Sequence, residues 1–427
     1  MASVASPFRG AMSPNKRPFS KISGGTQPTK RMLPLNVGVK RARSTNNTRD
    51  VELSGLKRLT GFESGAHFVE ATNATLNDEA KRSLRPNEDD SPAKKRRNLS
   101  RTVAPTCDPA DGITKGFYNF TGSLCYRNSL FQSLCHTPKF VNWLLQYHTN
   151  DDCVSDDSDY CVTCAMRLLV SFYWDQSVPQ KRLAAQAKHM HGLFSELGWR
   201  THSANGHGDP DDQLGWILGQ IRSEVPKSVF DKFDAFHNLI LKSEIKCERC
   251  GYASTSDGNE ERLLSIPIRP KMQNSTLSAY ISNYMEELIH DYTCEKCKHK
   301  SNKHRKQRIV YAPDVLLVQL KRFNHLGQKD SLKVIYGSDL DLSRFSADAD
   351  QGLLQYRLRS VISHWGSTGG GHYISMTKMP TRGEWYEFDD DAIQAIDVSH
   401  ALDPAKSSSG FTPYLLFYER KPGTIPE

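Results

Sequence analysis

The chain has 427 residues, with 56 Lys and Arg against 48 Asp and Glu, and its net charge at pH 7 is +8. No run of about 18 apolar residues occurs, which excludes a membrane-spanning helix, and Met1–Gly10 lacks the apolar stretch of a secretory signal peptide. We therefore expect a soluble intracellular protein without membrane contact. Its ten cysteines should stay reduced there and serve catalysis or metal binding rather than disulfides.

The first part of the chain, residues 1–105, differs in composition from the rest. It holds 20 Lys and Arg against 9 Asp and Glu, a net charge of +11, which leaves −3 for the remainder. It is rich in Ser, Thr, Pro and Asn without a hydrophobic period, which predicts a disordered basic tail. The clusters Lys40–Arg43 and Lys94–Arg97 indicate nuclear localisation or weak nucleic-acid contact. A merely solvated basic tail is the alternative, so we expect the nucleus, the cytoplasm or both.

Helical periodicity dominates from Gly116 to Val225. Leu130, Phe131 and Leu134 recur at helical spacing after Cys125, which places this thiol at a helix N-terminus. The helix dipole and the free N–H groups there favour a thiolate, the form in which cysteine acts as a nucleophile. Helices are predicted over Asn128–Leu145, Cys164–Trp174, Lys181–Leu197 and Asp211–Val225.

One cluster within this helical part has two interpretations. His148, Cys153, Cys161 and Cys164 offer the ligand types of a second zinc site, with Cys161 and Cys164 in a Cys-x-x-Cys pair. A single such pair with scattered partners is a weak signal, and ordinary thiols in a reducing compartment explain the residues equally well. The sequence leaves both interpretations open.

Two further Cys-x-x-Cys pairs, Cys247 with Cys250 and Cys294 with Cys297, lie in the next part of the chain. This pattern is typical of a tetrahedral zinc site with four thiolate ligands, and four unrelated thiols are a weak alternative. The zinc would be structural because four thiolates leave no open coordination position. Short strands surround the pairs, with a helix predicted over Thr276–Ile289.

Strand patterns dominate from Val310 to Tyr418. Tyr356–Trp365 alternates like a strand, breaks at a glycine run and resumes at His372, and a further aromatic strand ends at Asp389. A cysteine at a helix start, a histidine and a carboxylate are the three groups of a thiol hydrolase. Each residue alone is ordinary, but their occurrence together and in this order predicts that chemistry.

The segments Gly116–Leu134 and Gly369–Asp391 resemble the cysteine and histidine boxes of the ubiquitin-specific proteases, the USP family. The resemblance covers Gly116–Glu419, including the strand Val315–Phe323 and the closing strand Pro413–Tyr418. It implies an α+β fold, the papain-like cysteine protease fold of USP type, within a catalytic domain at residues 106–427. The implied parts are a helical thumb at 106–225, zinc-ribbon fingers at 226–309 and a β-rich palm at 310–420.

The resemblance also implies roles for five residues. Cys125 would be the nucleophile, His372 the general base and Asp389 the third member of the triad. Asp390 would support the oxyanion site, and Asn119 would contribute an oxyanion donor.

The chain departs from the family pattern at two places. Asn119 lies six residues before Cys125, whereas the family places its oxyanion Asn five before the nucleophile. Either the loop bulges by one residue or Phe120 occupies the Asn position. The family segment Gln-Gln-Asp-Ala-His-Glu-Phe-Leu appears here as Gly208–Leu214, in which the acidic and histidine positions are shuffled.

The resemblance implies that ubiquitin and ubiquitinated proteins are the substrates. The fingers and palm would hold ubiquitin, and its C-terminus would reach Cys125, where an isopeptide bond is hydrolysed through an acyl-enzyme. The alternative is an inactive scaffold that binds ubiquitin or a partner complex. A nucleic-acid-binding zinc protein ranks last because it leaves the histidine box unexplained. The oligomeric state stays open.

Overall fold

The structure is a computed structural model, and the described residues begin at Ser91. They are 91–107, 114–148, 153, 160–201, 206–256, 258–269, 272, 275–324, 328–367, 370–406 and 410–424. All of them belong to one compact unit, Leu76–Glu427. The basic cluster Lys40–Arg43 lies outside the described residues. Within the described part of the chain, no helix has the length and apolar character needed to span a bilayer.

Seven helices precede the first strand in the described residues. They are α1 (Pro92–Arg101), α2 (Cys125–Cys135), α3 (Pro138–Tyr147), α4 (Val162–Trp174), α5 (Gln180–Glu196), α6 (Pro210–Glu224) and α7 (Lys227–His237). The predicted helix Asn128–Leu145 is two helices, because Pro138 disfavours helical geometry at Thr137 and starts a new helix itself. The helical part also continues through α7, beyond the predicted boundary at Val225.

Five strands form the sheet that carries the paired cysteines. They are β1 (Leu239–Lys246), β2 (Ala253–Thr255), β3 (Asn259–Glu261), β5 (Glu286–Thr293) and β6 (Lys300–Tyr311). Strand β4 (Leu264–Pro267), which lies between β3 and β5 in the sequence, belongs to the other sheet. The order is β2-β1-β6-β5, with β3 also paired to β1. The predicted helix Thr276–Ile289 is shorter, α8 (Leu277–Met285), because the residues after Met285 pair with β6 as a strand.

The second sheet has eight strands and carries the histidine. Besides β4 they are β7 (Val315–Lys321), β8 (Asp339–Asp341), β9 (Gln355–Ser367), β10 (Gly370–Lys378), β11 (Trp385–Asp389), β12 (Ala392–Ile396) and β13 (Thr412–Arg420). The order is β12-β11-β10-β9-β13-β7-β4, with β8 on β9. A short helix, α9 (Val398–Leu402), follows β12. Helices first and strands last confirm the predicted α+β class.

Helix α2 connects the helical part to this sheet. All eleven of its residues are buried, and Ser133 Oγ lies 2.8 Å from Ser360 Oγ of β9. Residues of β9 and β10 alternate between two apolar clusters, with Ile362 and Tyr373 on the helical side and Val361 and Ile374 on the other. Both faces of the central strands are therefore buried, which fixes the register of the strands. The same packing fixes the position of α2 on the sheet.

Helix α1 departs from the predicted disorder of residues 1–105. Arg96 pairs with Glu260 of β3, donates to the backbone carbonyl of Asp234 at 3.1 Å, and lies 5.3 Å from the ring centroid of Tyr311. These contacts immobilise a side chain that the composition of the segment placed in solvent. Charge and low hydrophobicity favour disorder only where no folded partner neutralises the charge.

The end of α1 contacts two parts of the fold. Ser100 is buried, and its hydroxyl donates to Asp314 Oδ2 at 2.5 Å. Lys139 of α3 lies 2.6 Å from the same carboxylate and donates to the carbonyl of Ser100 at 2.7 Å. The segment therefore links a thumb helix to the residue that precedes β7. The remaining boundaries of the proposed parts stay predictions.

We expect α1 to stabilise the folded domain. A variant without residues 1–101 should lose about 2 kcal/mol of unfolding free energy relative to one without residues 1–90, because Lys139 and Asp314 lose buried hydrogen bonds. Thermal unfolding of both truncations measures the difference. Asn98→Ala, on the exposed side of α1, serves as the control with little effect. Equal midpoints for the two truncations would contradict a stabilising role of α1.

Candidate active site

Cys125 is the first residue of α2 and is buried. The residue that caps this helix, Leu124, offers no side-chain hydrogen bond to the first turn. Backbone N–H groups at the start of a helix lack partners within the helix, and the dipole adds positive potential there. The predicted location of Cys125 at a helix N-terminus is therefore present in the structure, and the site favours an anion.

His372 lies at the start of β10, beside Cys125. Its Nε2 is 2.5 Å from Asp389 Oδ1 at the end of β11. Hydrogen bonds to Asp389 and then to Cys125 raise the pKa of His372 to about 10, although partial burial opposes the shift. The same contact lowers the pKa of Asp389. The structure thus joins the imidazole and the carboxylate, and the raised pKa favours the imidazolium at neutral pH.

Gly371 permits the close packing behind His372. A Cβ on Gly371 would lie 2.2 Å from the carbonyl oxygen of Trp365 and 2.4 Å from His364 Nε2. Gly369, part of the same glycine run, lies outside the described residues. Burial first, and the nearby Lys329 second, lower the pKa of His364 to about 3. A neutral ring at this position adds no positive charge beside His372.

Asp390 anchors the loop that precedes Cys125. Its Oδ1 accepts from Asn128 Nδ2 at 2.8 Å, its Oδ2 accepts from Asn119 Nδ2 at 3.0 Å, and its carbonyl accepts from Phe117 N at 3.0 Å. Asp390 has φ of +53°, a left-handed conformation that is uncommon for residues other than glycine. Burial raises its pKa. The carboxylate therefore holds two amide side chains in place rather than contacting the imidazole.

Gly116 allows this loop to approach the Asp390 turn. A Cβ at Gly116 would come within 2.6 Å of Asp391 Cα and 2.8 Å of the carbonyl oxygen of Asp390. Any side chain at Gly116 would push these backbones apart, and the hydrogen bonds of the Asp390 carboxylate would be lost.

The extra residue between Asn119 and Cys125 forms part of a tight turn. Gly122, with φ of +76°, donates its N–H to the carbonyl of Asn119 at 3.3 Å. Asn119 Oδ1 accepts from Leu124 N at 3.0 Å. The ring of Phe120 instead packs edge-on against His191, with 5.4 Å between centroids. Asn119, and not Phe120, therefore bonds to Asp390 and to the backbone of Leu124 just before Cys125.

The shuffled segment Gly208–Leu214 begins α6. Asp209 caps the helix by accepting from Asp211 N at 2.7 Å, and its other oxygen accepts from Tyr414 Oη at 2.7 Å. Burial is the main cause that raises the pKa of Asp209 to about 6. Asp211 forms an ion pair at 2.5 Å with Arg262. The acidic residues therefore fix the start of α6 against the sheet.

Sequence reasoning missed the polar network below Cys125. Arg127 is almost fully buried and donates from Nε to Gln213 Oε1 at 3.1 Å. Its Nη1 lies 2.9 Å from His191 Nδ1, and its guanidinium lies 4.9 Å from the ring centroid of Phe194. These contacts tie α2 to α5 and α6. No local pattern predicts them, because the partners are 64 and 86 residues away.

Comparison with known proteins identifies this arrangement. A model of the family Ubiquitin carboxyl-terminal hydrolase matches residues 115–418, the part that holds the thiol, imidazole and carboxylate. The chain belongs to this family. Within it, the chain is a cysteine-type member of the USP group, as the two boxes predicted.

The similar USP proteins are longer than this chain. Ubiquitin carboxyl-terminal hydrolase 17-like protein A of Mus musculus is 30% identical over 312 residues, which are 70% of this chain and 55% of that protein. Ubiquitin carboxyl-terminal hydrolase 36 of Drosophila ananassae is 27% identical over 334 residues, 73% of this chain and 29% of that protein. The chain thus spans about half or less of these relatives.

A solved structure shows the same USP fold. It is described as the SAGA Ubp8/Sgf11/Sus1/Sgf73 DUB module bound to ubiquitin aldehyde, and the match has a TM-score of 0.61 at 22% identity. The match covers 75% of this chain and 72% of that one. It confirms the predicted fold class.

The four cysteines of the five-stranded sheet form one group that fits a metal. Their sulfurs all lie within 4.8 Å of one another, with 3.8 Å between Cys247 and Cys297 and 3.7 Å between Cys250 and Cys294. Zn–S bonds of about 2.3 Å in a tetrahedron place sulfurs about 3.8 Å apart. The separations therefore match a four-thiolate zinc site.

The backbone around these cysteines forms two similar turns. Gly251 N donates to the carbonyl of Cys247, and Lys298 N to that of Cys294, both at 2.9 Å. The N–H of Cys250, followed by that of Arg249, lowers the pKa of Cys247 to about 6. N–H groups directed at a sulfur stabilise the thiolate that a metal requires.

The possible second zinc ligands, in the helical part, also form one group. His148, Cys153, Cys161 and Cys164 offer ligand atoms within 4.8 Å of one another. His148 Nε2 is 3.0 Å from the sulfur of Cys164, whose distance to the sulfur of Cys153 is 3.7 Å. Three cysteines and a histidine are a common ligand set for structural zinc.

Glu224 supports the start of α4 next to this group. Its carboxylate accepts from the N–H groups of Val162 and Thr163 at 2.8 Å each, and the sulfur of Cys161 lies 3.5 Å from it. Because the carboxylate fixes the backbone that carries Cys161, it holds this cysteine toward the other three members. The geometry therefore favours the metal-site interpretation over unrelated thiols.

The contact with Asp389 should control the titration of His372. In Asp389→Asn the pKa of His372 should fall from well above its ordinary value toward about 6.5, because the carboxylate that stabilises the imidazolium is gone. A pH titration of the imidazole proton resonances by NMR measures this. Asp391→Asn, an exposed neighbour, is the matched control and should leave the pKa unchanged.

Because the pKa of His372 is raised in the folded protein, its contribution to folding stability depends on pH. The contribution of His372 to stability is complete below about pH 6.5 and disappears as the pH rises toward about 10. An unchanged pKa in Asp389→Asn would contradict the hydrogen bond between the two residues.

Proposed function

We propose that the protein is a thiol-dependent deubiquitinase that hydrolyses the isopeptide bond at the C-terminus of ubiquitin. The observation that carries this proposal is the hydrogen bond of the His372 ring to Asp389 on a strand that packs against α2, the helix that Cys125 begins. The proposal also rests on membership of the USP family. Cys125 serves as nucleophile, His372 as acid and base, and Asp389 as the residue that orients the imidazole.

In this mechanism the Cys125 thiolate attacks the carbonyl carbon of the terminal glycine of ubiquitin. The C–N bond then breaks, and protonated His372 delivers its proton to the leaving lysine amine, leaving ubiquitin bound as a thioester. His372, now neutral, takes a proton from water, which attacks the thioester and releases ubiquitin. Asp389 stabilises the imidazolium in both half-reactions.

The oxyanion of each tetrahedral intermediate would be bound by two donors. One is the backbone N–H at the start of α2, and the other is the second N–H of the Asn119 amide, whose first N–H is held by Asp390. Asp390 thus serves the oxyanion site by fixing Asn119. The loss of one such donor typically lowers turnover by about a hundredfold.

The substrate is proposed to be ubiquitin attached to a protein lysine. The structural neighbour is bound to ubiquitin aldehyde, which supports a ubiquitin-binding surface on the corresponding palm and fingers. For location we propose the nucleus, the cytoplasm or both. The exposed Lys94 and Lys95 and the cluster Lys40–Arg43 are of the kind that directs proteins to the nucleus. The same basic residues support at most weak nucleic-acid contact.

Zinc is proposed for both cysteine groups. Cys247, Cys250, Cys294 and Cys297 would hold one structural ion in the fingers, and the group of His148 would hold a second in the thumb. Neither site offers an open coordination position, so each ion would hold loops together rather than take part in hydrolysis.

Replacing the nucleophile tests the reaction. Cys125→Ser should lower the hydrolysis of a ubiquitin isopeptide substrate by at least about a thousandfold while unfolding at the same temperature, because the hydroxyl cannot form the required anion. The wild-type protein should form a covalent adduct with ubiquitin that carries a C-terminal electrophile, and the variant should not.

A buried thiol outside the site, Cys135, provides the control for this labelling. Cys135→Ser should keep both the adduct and turnover. Binding of the probe without any adduct would favour the inactive ubiquitin-binding scaffold instead, and full activity of Cys125→Ser would remove the nucleophile from the mechanism.

Metal content tests the two zinc sites. The purified protein should contain two zinc ions per chain, and Cys294→Ser and Cys164→Ser should each lose one and lower the unfolding temperature, because metal binding is coupled to folding. Elemental analysis with thermal unfolding measures both effects. Cys107→Ser makes the same chemical change outside the two groups and should retain both ions. A zinc content that Cys164→Ser leaves unaltered would eliminate the thumb site.

A further inference from the structure

Trp365 is a large exposed side chain next to the active site. Half of its surface, 50%, is exposed to solvent. In the β9–β10 hairpin it lies directly opposite His372. Directly opposed residues in an antiparallel pair project to the same face, with Cβ atoms about 4.5–5.5 Å apart. The indole therefore lies within side-chain reach of the His372 imidazole.

The position of Trp365 is fixed from the side of β13. A Cβ on Gly410 would lie 2.9 Å from Cδ1 of Trp365 and 3.1 Å from its Nε1, so the indole rests on the backbone at Gly410. The next residue, Phe411, packs edge-on toward His372 with 6.5 Å between ring centroids. His372 thus has Asp389 on one neighbouring strand, the Phe411 ring on the other side and Trp365 opposite it in the hairpin.

The neighbouring residues of the hairpin belong to the opposite face. His364 and Tyr373 form the next opposed pair, and both are buried, with Tyr373 near Asp209 and Tyr414. Trp365 belongs to neither of the two apolar clusters in the described residues. A ligand can therefore contact its exposed surface without disturbing the packing of either cluster.

We propose that Trp365 binds the leaving side of the substrate, namely the methylene chain of the modified lysine. The inference rests on the proposed function. The acyl side is fixed by Cys125 and by the oxyanion donor Asn119. The leaving nitrogen must come within hydrogen-bond distance of His372 in order to receive its proton. The four methylenes that follow this nitrogen then extend from His372, where Trp365 and Phe411 provide the apolar surface.

Two ubiquitin substrates with different leaving groups test this inference. One is ubiquitin joined through an isopeptide bond to a lysine in a short peptide, and the other is ubiquitin methyl ester, which lacks a lysine stem. Trp365→Ala should lower kcat/KM for the isopeptide about tenfold, the order of effect expected for one or two methylenes that lose an apolar contact. The ester should be hydrolysed at the wild-type kcat/KM, and Trp365→Phe should restore most of the activity on the isopeptide.

Leu353→Ala is the matched control, because Leu353 is equally exposed at 53% and precedes β9. It should leave kcat/KM unchanged for both substrates. Equal losses on both substrates in Trp365→Ala would place Trp365 against ubiquitin itself and overturn the inference, as would no loss on either. These results presuppose a wild-type protein that hydrolyses the ester. Failure of the wild type on both substrates would instead overturn the proposed function, and the inference with it.

Discussion

The packing of the Cys125 helix against the His372 strand brings together two parts of the chain that fold by different rules. Cys125 starts a fully buried helix, whereas His372 is the third residue of a strand within an eight-stranded sheet. Their meeting depends on how α2 is seated on β9 and β10. Alternate residues of these strands pack into two different apolar clusters. A slip of one residue would exchange the side chains of the two faces and disrupt the packing of both clusters, so the register that positions His372 is strongly specified.

The half-buried carboxylate of Asp390 organises the other half of the site. Asp390 links Asn119 and Asn128, which come from the loop and the helix on either side of Cys125. Loss of either amide donor would leave an oxygen of this carboxylate without a hydrogen bond in a place with little solvent, which costs free energy. We therefore expect these three residues to keep their positions relative to one another. The left-handed backbone at Asp390 fits this view, because strained residues persist where their surroundings fix them.

More distant contacts hold the lobes around this centre. Helix α1 contacts α7, β3 and the start of β7 through Arg96 and Ser100. Arg127 joins three helices through the amide of Gln213, the imidazole of His191 and the ring of Phe194. The helices and the sheet are thus held together by buried polar contacts as well as by the apolar core.

Features whose signal is local can be predicted from the sequence. Cys125 at a helix start, the four paired cysteines and the α+β order follow from spacing and periodicity within short segments. Local patterns also misled, since the charge of Pro92–Arg101 indicated disorder and the apolar spacing after Cys125 suggested one helix where Pro138 separates two. The contacts of Asn119, Asp390 and Arg127 and the assembly of the His148 group became visible only in the folded chain. These depend on contacts between residues far apart in the chain, whose energies no short window of sequence contains.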